Sequence, residues 1–159
     1  MKKSLLLIFA LAAWAVFQFA ACEEEGNFPL GDLPASIKTY VDANYPGYTL
    51  DEAETETDCF GTSVYEVEIE QGEENDLELT FDTAGAFLYS ETEIVLPDLP
   101  ASVTSAIASK YGGFKIEEAS KLNMADGSTR YELDLEKGST NKEVLFDTEG
   151  TVICEKDEE

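Results

Sequence analysis

The stretch Asp32-Leu33-Pro34-Ala35-Ser36 recurs letter for letter as Asp98-Leu99-Pro100-Ala101-Ser102, 66 residues later. Tyr65-Glu66 and Tyr131-Glu132 keep that offset. Phe81-Asp82-Thr83-x-Gly85 and Phe146-Asp147-Thr148-x-Gly150 stand 65 apart, so one residue is missing from a loop of the second copy. The chain is an internal repeat, and whatever it folds into must be built twice.

Each copy opens as a helix. Starting at Leu33, Pro34 suits the first helical position, where no N–H is needed, and Asp32 lies at the end where the helix dipole favours negative charge. Ile37, Tyr40, Val41 and Tyr45 fall on one face, and Pro46-Gly47 stops the helix. The second copy repeats this with Pro100, Val103, Ile107 and Tyr111, ending at Gly112-Gly113. Four strand-like runs follow. Thr49 to Thr57 matches Lys115 to Met124. Val64-Tyr65-Glu66-Val67-Glu68-Ile69-Glu70 alternates apolar and acidic residues, as does its twin Arg130-Tyr131-Glu132-Leu133-Asp134-Leu135-Glu136. That period marks a strand with one packed face and one wet face. Leu77 to Phe81 and Glu143 to Phe146 come third, then tight hairpins at Asp82–Gly85 and Asp147–Gly150, then Ala86 to Ile94 and Thr151 to Glu155. The expectation is an α+β fold of two tandem repeats, residues 32–96 and 97–158. Each is one helix followed by a four-stranded antiparallel β-meander. A unit of this size is marginal alone, so the copies should share a sheet or core across the short linker Val95-Leu96-Pro97.

Residues 1–22 stand outside that scheme. Lys2 and Lys3 precede an apolar run from Leu5 to Ala20, and Ala20-Ala21 leads to Cys22, the pattern of an export signal. Ending in Phe-Ala-Ala-Cys, it resembles a bacterial lipoprotein signal, with Cys22 as the lipidated residue and membrane anchor. The protein is therefore expected to be exported, either to the periplasm or to the outer-membrane surface. Residues 23–31 read as an acidic tether. Without Lys2 and Lys3, 8 cations face 34 carboxylates, a net charge of −26. Such a surface repels nucleic acid and attracts cations and basic proteins. Cys59 and Cys154 remain in a compartment that permits disulfides, either paired or as two buried thiols.

Catalysis finds little support, because the sequence holds no histidine. Neither a Ser/His/Asp nor a Cys/His arrangement can be assembled, and no phosphate-binding glycine loop is present. The unusual feature is acidic strands. Glu52, Glu54, Glu56 and Asp58 share one parity on the first run, and Glu66, Glu68 and Glu70 share one on the second. If the runs pair, carboxylates crowd one side of the sheet. Lys115 and Lys121 are expected to relieve Glu132, Asp134 and Glu136 in the second copy. Residues 32–96 carry 1 cation and 17 acids, and 98–159 carry 7 and 14, so the negative field concentrates on the first repeat. Glu52, Glu54, Glu66, Glu68 and Glu70 are thus candidates for docking a basic protein surface. Calcium is a second candidate ligand, through oxygens of Glu73, Glu74, Asn75 and Asp76, although the loop lacks an EF-hand pattern. No other cofactor is indicated. Tyr65 and Tyr131 sit on the apolar parity and should pack under the helices, while Asp82 and Asp147 read as turn residues.

The Leu-Pro-Ala-Ser helix start, the tyrosine near the helix end, the Val-Tyr-Glu-Val strand and the Phe-Asp-x-x-Gly hairpin together resemble the PepSY-like family, also described as β-lactamase-inhibitor-protein-like. The likeness spans residues 32 to 156. It implies tandem copies in an exported bacterial lipoprotein and a curved sheet whose open face could grip another protein. It also implies a link to calcium.

Overall fold

The leucine before each repeated proline decides where the helices begin. The computed structural model describes residues 26–72 and 76–158. In it, helix α1 runs Ala35–Asn44 and α2 runs Ala101–Lys110. Both start two residues later than the sequence suggests. Leu33 and Leu99 are extended (ψ 145° and 138°), and Pro34 and Pro100 are the N-cap residues with ψ 131° and 142°. Proline clashes with an α-helical residue before it, so Leu33 and Leu99 cannot be the first helical turn. A 3₁₀ turn, Leu30–Asp32 or Leu96–Asp98, feeds each cap.

The serine of the repeated motif has a partner far away in sequence. Ser102 Oγ donates to the Thr148 carbonyl at 2.6 Å, and Ser36 Oγ to that of Ala84 at 3.4 Å. Both acceptors lie in the Phe-Asp-Thr-x-Gly hairpins. There Asp147 Oδ1 accepts from the Glu149 and Thr151 amides, and Asp82 Oδ1 from those of Ala84 and Ala86, as turn chemistry requires. Gly150 (φ 79°) presses on the helix start: a Cβ there would stand 2.5 Å from the Ser102 carbonyl oxygen. The two repeated motifs are halves of one contact.

Gly150→Ala is expected to cost about 2–4 kcal/mol, combining a left-handed backbone penalty of about 1–2 kcal/mol with overpacking against α2. Gly138 has a similar φ of 70° but open space around it, so Gly138→Ala should show the backbone part alone. Urea midpoints measure both, and equal losses would mean the hairpin does not bear on the helix.

Among the described residues nine strands form one antiparallel sheet in strict chain order. They are β1 (Gly26–Asn27), β2 (Thr49–Thr57), β3 (Ser63–Glu70), β4 (Asp76–Asp82), β5 (Phe87–Glu93), β6 (Lys115–Met124), β7 (Thr129–Lys137), β8 (Thr140–Asp147) and β9 (Val152–Glu158). Strands β5 and β6 pair from Tyr89↔Met124 to Glu93↔Ser120, so the sheet is continuous across the linker. Each helix nonetheless has its own core. Ile37, Val41, Val67, Ile69, Leu79 and Phe81 form the first, and Val103, Ile107, Leu133, Leu135, Val144 and Phe146 the second. Tyr65 and Tyr131 pack against these cores, as their parity predicts.

The sheet curls away from the helices. Cys59, just after β2, is disulfide-bonded to Cys154 in β9, with Cα atoms 6.0 Å apart. In a flat sheet β3 and β9 would lie six spacings apart, roughly 28 Å. Lys156 Nζ also donates to the Thr57 carbonyl at 3.1 Å. Cys154 stands opposite Leu145, on the parity opposite Val144 and Phe146, so the edges meet over the helix-free side. That side is concave, and it buries Val64, Thr80, Ser120, Leu122 and Leu145.

Candidate functional site

The concave face is where the acidic parity of the strands arrives. Backbone register sets Glu52 opposite Glu68 and Glu54 opposite Glu66 across β2 and β3. Next, Glu68 faces Glu78 and Glu70 faces Asp76 across β3 and β4. Glu78 then faces Glu91 across β4 and β5. Four of the five glutamates expected from sequence form the heart of this row, with Glu70 at its end. Two shallow clefts lie along it. One of about 190 Å³ is walled by Glu52, Glu54, Glu66, Glu68 and Glu78. The other, about 460 Å³, includes Glu68, Glu78, Glu91 and Glu118.

Sequence reasoning missed Glu78 and Glu91. The signal was present in the alternation of Leu77-Glu78-Leu79, but placing Glu91 required knowing the bulge between Thr80 and Phe81. Asp58 does not join the row. It has left β2, and its Oδ1 accepts from the Phe60 and Thr62 amides.

Burial dominates the electrostatics. It pushes Glu78 up to about 9, reinforced by the charges of Glu66 and Glu91 and by hydrogen bonds to both. Glu66 rises to about 7, first through burial and then through Glu91 and Glu56. Burial also raises Glu91, against the stabilising Ser120 hydroxyl. Glu78 is therefore the proton carrier of a hydrogen-bonded carboxyl trio. Glu68 is raised by burial and by Asp76, Asp51 and Glu52. Further along, Glu132 reaches about 9 through burial and then the charges of Glu143, Glu91 and Asp134, with Lys156 opposing. A face of this kind favours whatever supplies positive charge, whether proton or cation.

Charge relief in the second copy differs from expectation. Lys115 does face Glu136, and its ammonium lies 2.6 Å from Glu117. Lys121 faces Tyr131 and Thr92 instead of acids. A bulge between Ile116 and Glu118 inserts one residue and flips the parity of everything after it. Lys156 of β9 supplies relief from the other side, 2.7 Å from Glu143.

Of the candidate calcium ligands, Glu73, Glu74 and Asn75 lie outside the described residues, and Asp76 opens β4 opposite Glu70. Among the described residues no group of three or more Cys, Asp or Glu side chains is arranged so that it could hold a metal ion. Cys22 and the apolar run before it also lie outside the described residues. No described helix is long and apolar enough to cross a membrane.

A family model described as "Putative beta-lactamase-inhibitor-like, PepSY-like" matches residues 19–89 and again 75–154. Among solved structures, a "BLIP-like protein" from Bacteroides fragilis is 23% identical, with a TM-score of 0.54 over 83% of this chain and 89% of that one. A structure from Bacteroides eggerthii, described as "putative periplasmic proteins", is 17% identical, with a TM-score of 0.56 over 79% of this chain and 88% of that one. At those identities the likeness is one of fold. No curated protein matches.

Proposed function

This chain belongs to the PepSY-like family, and from that premise we propose that it is a non-enzymatic binding protein of the cell envelope that takes a basic protein surface onto its concave acidic face. Cys22 would carry the lipid that holds it to a membrane, with residues 23–25 as the tether. The rest of the expected tether is built into the fold: Gly26 and Asn27 pair with Thr55 and Glu54 of β2, and Leu30–Asp32 is the 3₁₀ turn before α1. The observation that carries the reading is the run of facing carboxylates from Glu52 and Glu54 through Glu66, Glu68 and Glu78 to Glu91. Like charges directly opposite, as where Glu52 faces Glu68, destabilise a sheet by about 0.2–1 kcal/mol per pair. Lysine or arginine side chains from a partner would remove that repulsion, so the strain favours association. The net charge of −26 would steer such a partner from a distance and fade with salt.

The soluble chain from Glu23 to Glu159 is immobilised and exposed to envelope proteins, alongside Glu52→Lys/Glu68→Lys. The wild type should retain a partner that the variant does not. Its association rate should fall about tenfold or more between 50 and 500 mM salt. An unchanged set of captured proteins, or a rate indifferent to salt, would sink the reading.

A further inference from the structure

Next to the carboxyl row, the concave face opens into a cavity of a different character. It measures about 290 Å³, near the lower end for ligand pockets, and Phe60, Leu88, Leu122, Met124 and Leu145 give it apolar walls. Cys59 is also in the wall, so the disulfide that ties the sheet edges together also holds the pocket's outer loop in place. That loop is braced further. Asp58 Oδ1 accepts from the Phe60 and Thr62 amides, and the Asp58 amide donates to the Thr62 carbonyl. Phe60 is thereby held in place while 60% exposed, whereas the other phenylalanines among the described residues are at least partly buried.

Two observations say what belongs there. The first is continuity: Glu132 lines the pocket and interacts electrostatically with Glu91 of the row, so pocket and row are one surface. The second is charge: Asp58 and Asp126 flank the apolar walls, and Arg130, the sole arginine of the sequence, lies beside Asp126. A free apolar molecule would use the walls and none of the adjoining carboxyl row.

We propose that the partner inserts an aromatic side chain into this pocket from a segment whose neighbouring lysines or arginines lie on the carboxyl row. This rests on the binding role proposed above and names the partner's recognition element. A rigid aromatic anchor in a desolvated pocket, ringed by polar contacts, is the arrangement that concentrates binding energy at protein interfaces. The pocket would supply selectivity and the carboxylates the association rate.

The test uses two synthetic pentapeptides, Lys-Lys-Trp-Lys-Lys and the same peptide with alanine at its centre, titrated into the oxidised chain from Glu23 to Glu159 at low salt. The only tryptophan of the sequence is Trp14, ahead of that start, so indole emission reports the peptide alone. The tryptophan peptide should bind about tenfold more tightly, with its emission shifted to the blue. In Phe60→Ala that preference should vanish while the alanine peptide binds as before. Equal affinities in the wild type would overturn the aromatic anchor and leave the acidic face standing. Binding of neither peptide would take down both readings together. Free indole binding as tightly as the tryptophan peptide would overturn the polypeptide occupant and assign the pocket to a small apolar molecule.

Discussion

Raising the pH from 5 to 8 is expected to remove at least about 3 kcal/mol of stability and to lower Tm by about 10 °C. The cause is the protonated carboxyls of the concave face. Glu78 and Glu132 titrate at about 9 in the folded chain and Glu66 at about 7, against an ordinary glutamate value of 4.5. A folded value raised in this way means that the native state holds protons which the unfolded chain has released. Its stabilising contribution is complete below the ordinary carboxyl range and is lost as pH climbs towards about 9. Each pH unit inside that window is worth at most 1.36 kcal/mol per group. Glu132 at full effect would supply about 4 kcal/mol between pH 5 and 8, with Glu78 adding in the same direction. Partial solvent access to a concave face reduces both contributions. Calorimetry at constant ionic strength measures the slope. Glu132→Gln should flatten it and raise Tm at pH 8, whereas Glu149→Gln, exposed on the β8–β9 hairpin, controls for net charge. A Tm unchanged from pH 5 to 8 would show that these carboxyls ionise freely inside the folded chain.

Sequence reasoning located these groups unevenly, for reasons that are physical. The alternation of Val64 to Glu70 needed only the two-residue period of a strand, so the gathering of Glu52, Glu54, Glu66 and Glu68 on one side could be anticipated, though not which faces which. Bulges defeat that logic. The one at Glu117 turns Lys121 to the tyrosine side, and the one at Leu88 governs where Glu91 arrives. A single inserted residue carries no local signature, yet it reverses every later side chain. The helix starts failed for a smaller reason: Pro34 and Pro100 were weighed for their own geometry and not for the constraint on the leucine before each. The apolar pocket was not legible at all. It is assembled from β5, β6, β7, β8, the turn between β6 and β7 and the loop after β2, and the curl of the sheet brings that loop onto the others.

That curl makes the disulfide the largest single lever on the fold. Replacing both Cys59 and Cys154 by alanine is expected to cost about 4–5 kcal/mol, since the bond closes a loop between residues 95 apart in sequence. For a domain of this size the loss corresponds to a fall in Tm of roughly 12–16 °C. The mechanism is separable from lost packing. A cross-link acts mainly by restricting the unfolded chain, so the urea m-value should rise when it is removed. Both helix-side cores lie on the convex face and contain neither cysteine, so secondary structure should persist in the variant. The concave face should not fare as well. The Lys156 to Thr57 hydrogen bond would still run from β9 to the end of β2, but one bond from a charged donor contributes only about 1.5–3 kcal/mol. With the edges free to part, Glu132 and Glu78 gain water, and the fall in Tm between pH 5 and 8 should shrink in the cysteine variant. Loss of stability with an unchanged pH slope would mean that the disulfide anchors the chain without shaping the face. Loss of both together ties the proton-holding carboxyls to the curvature that buries them.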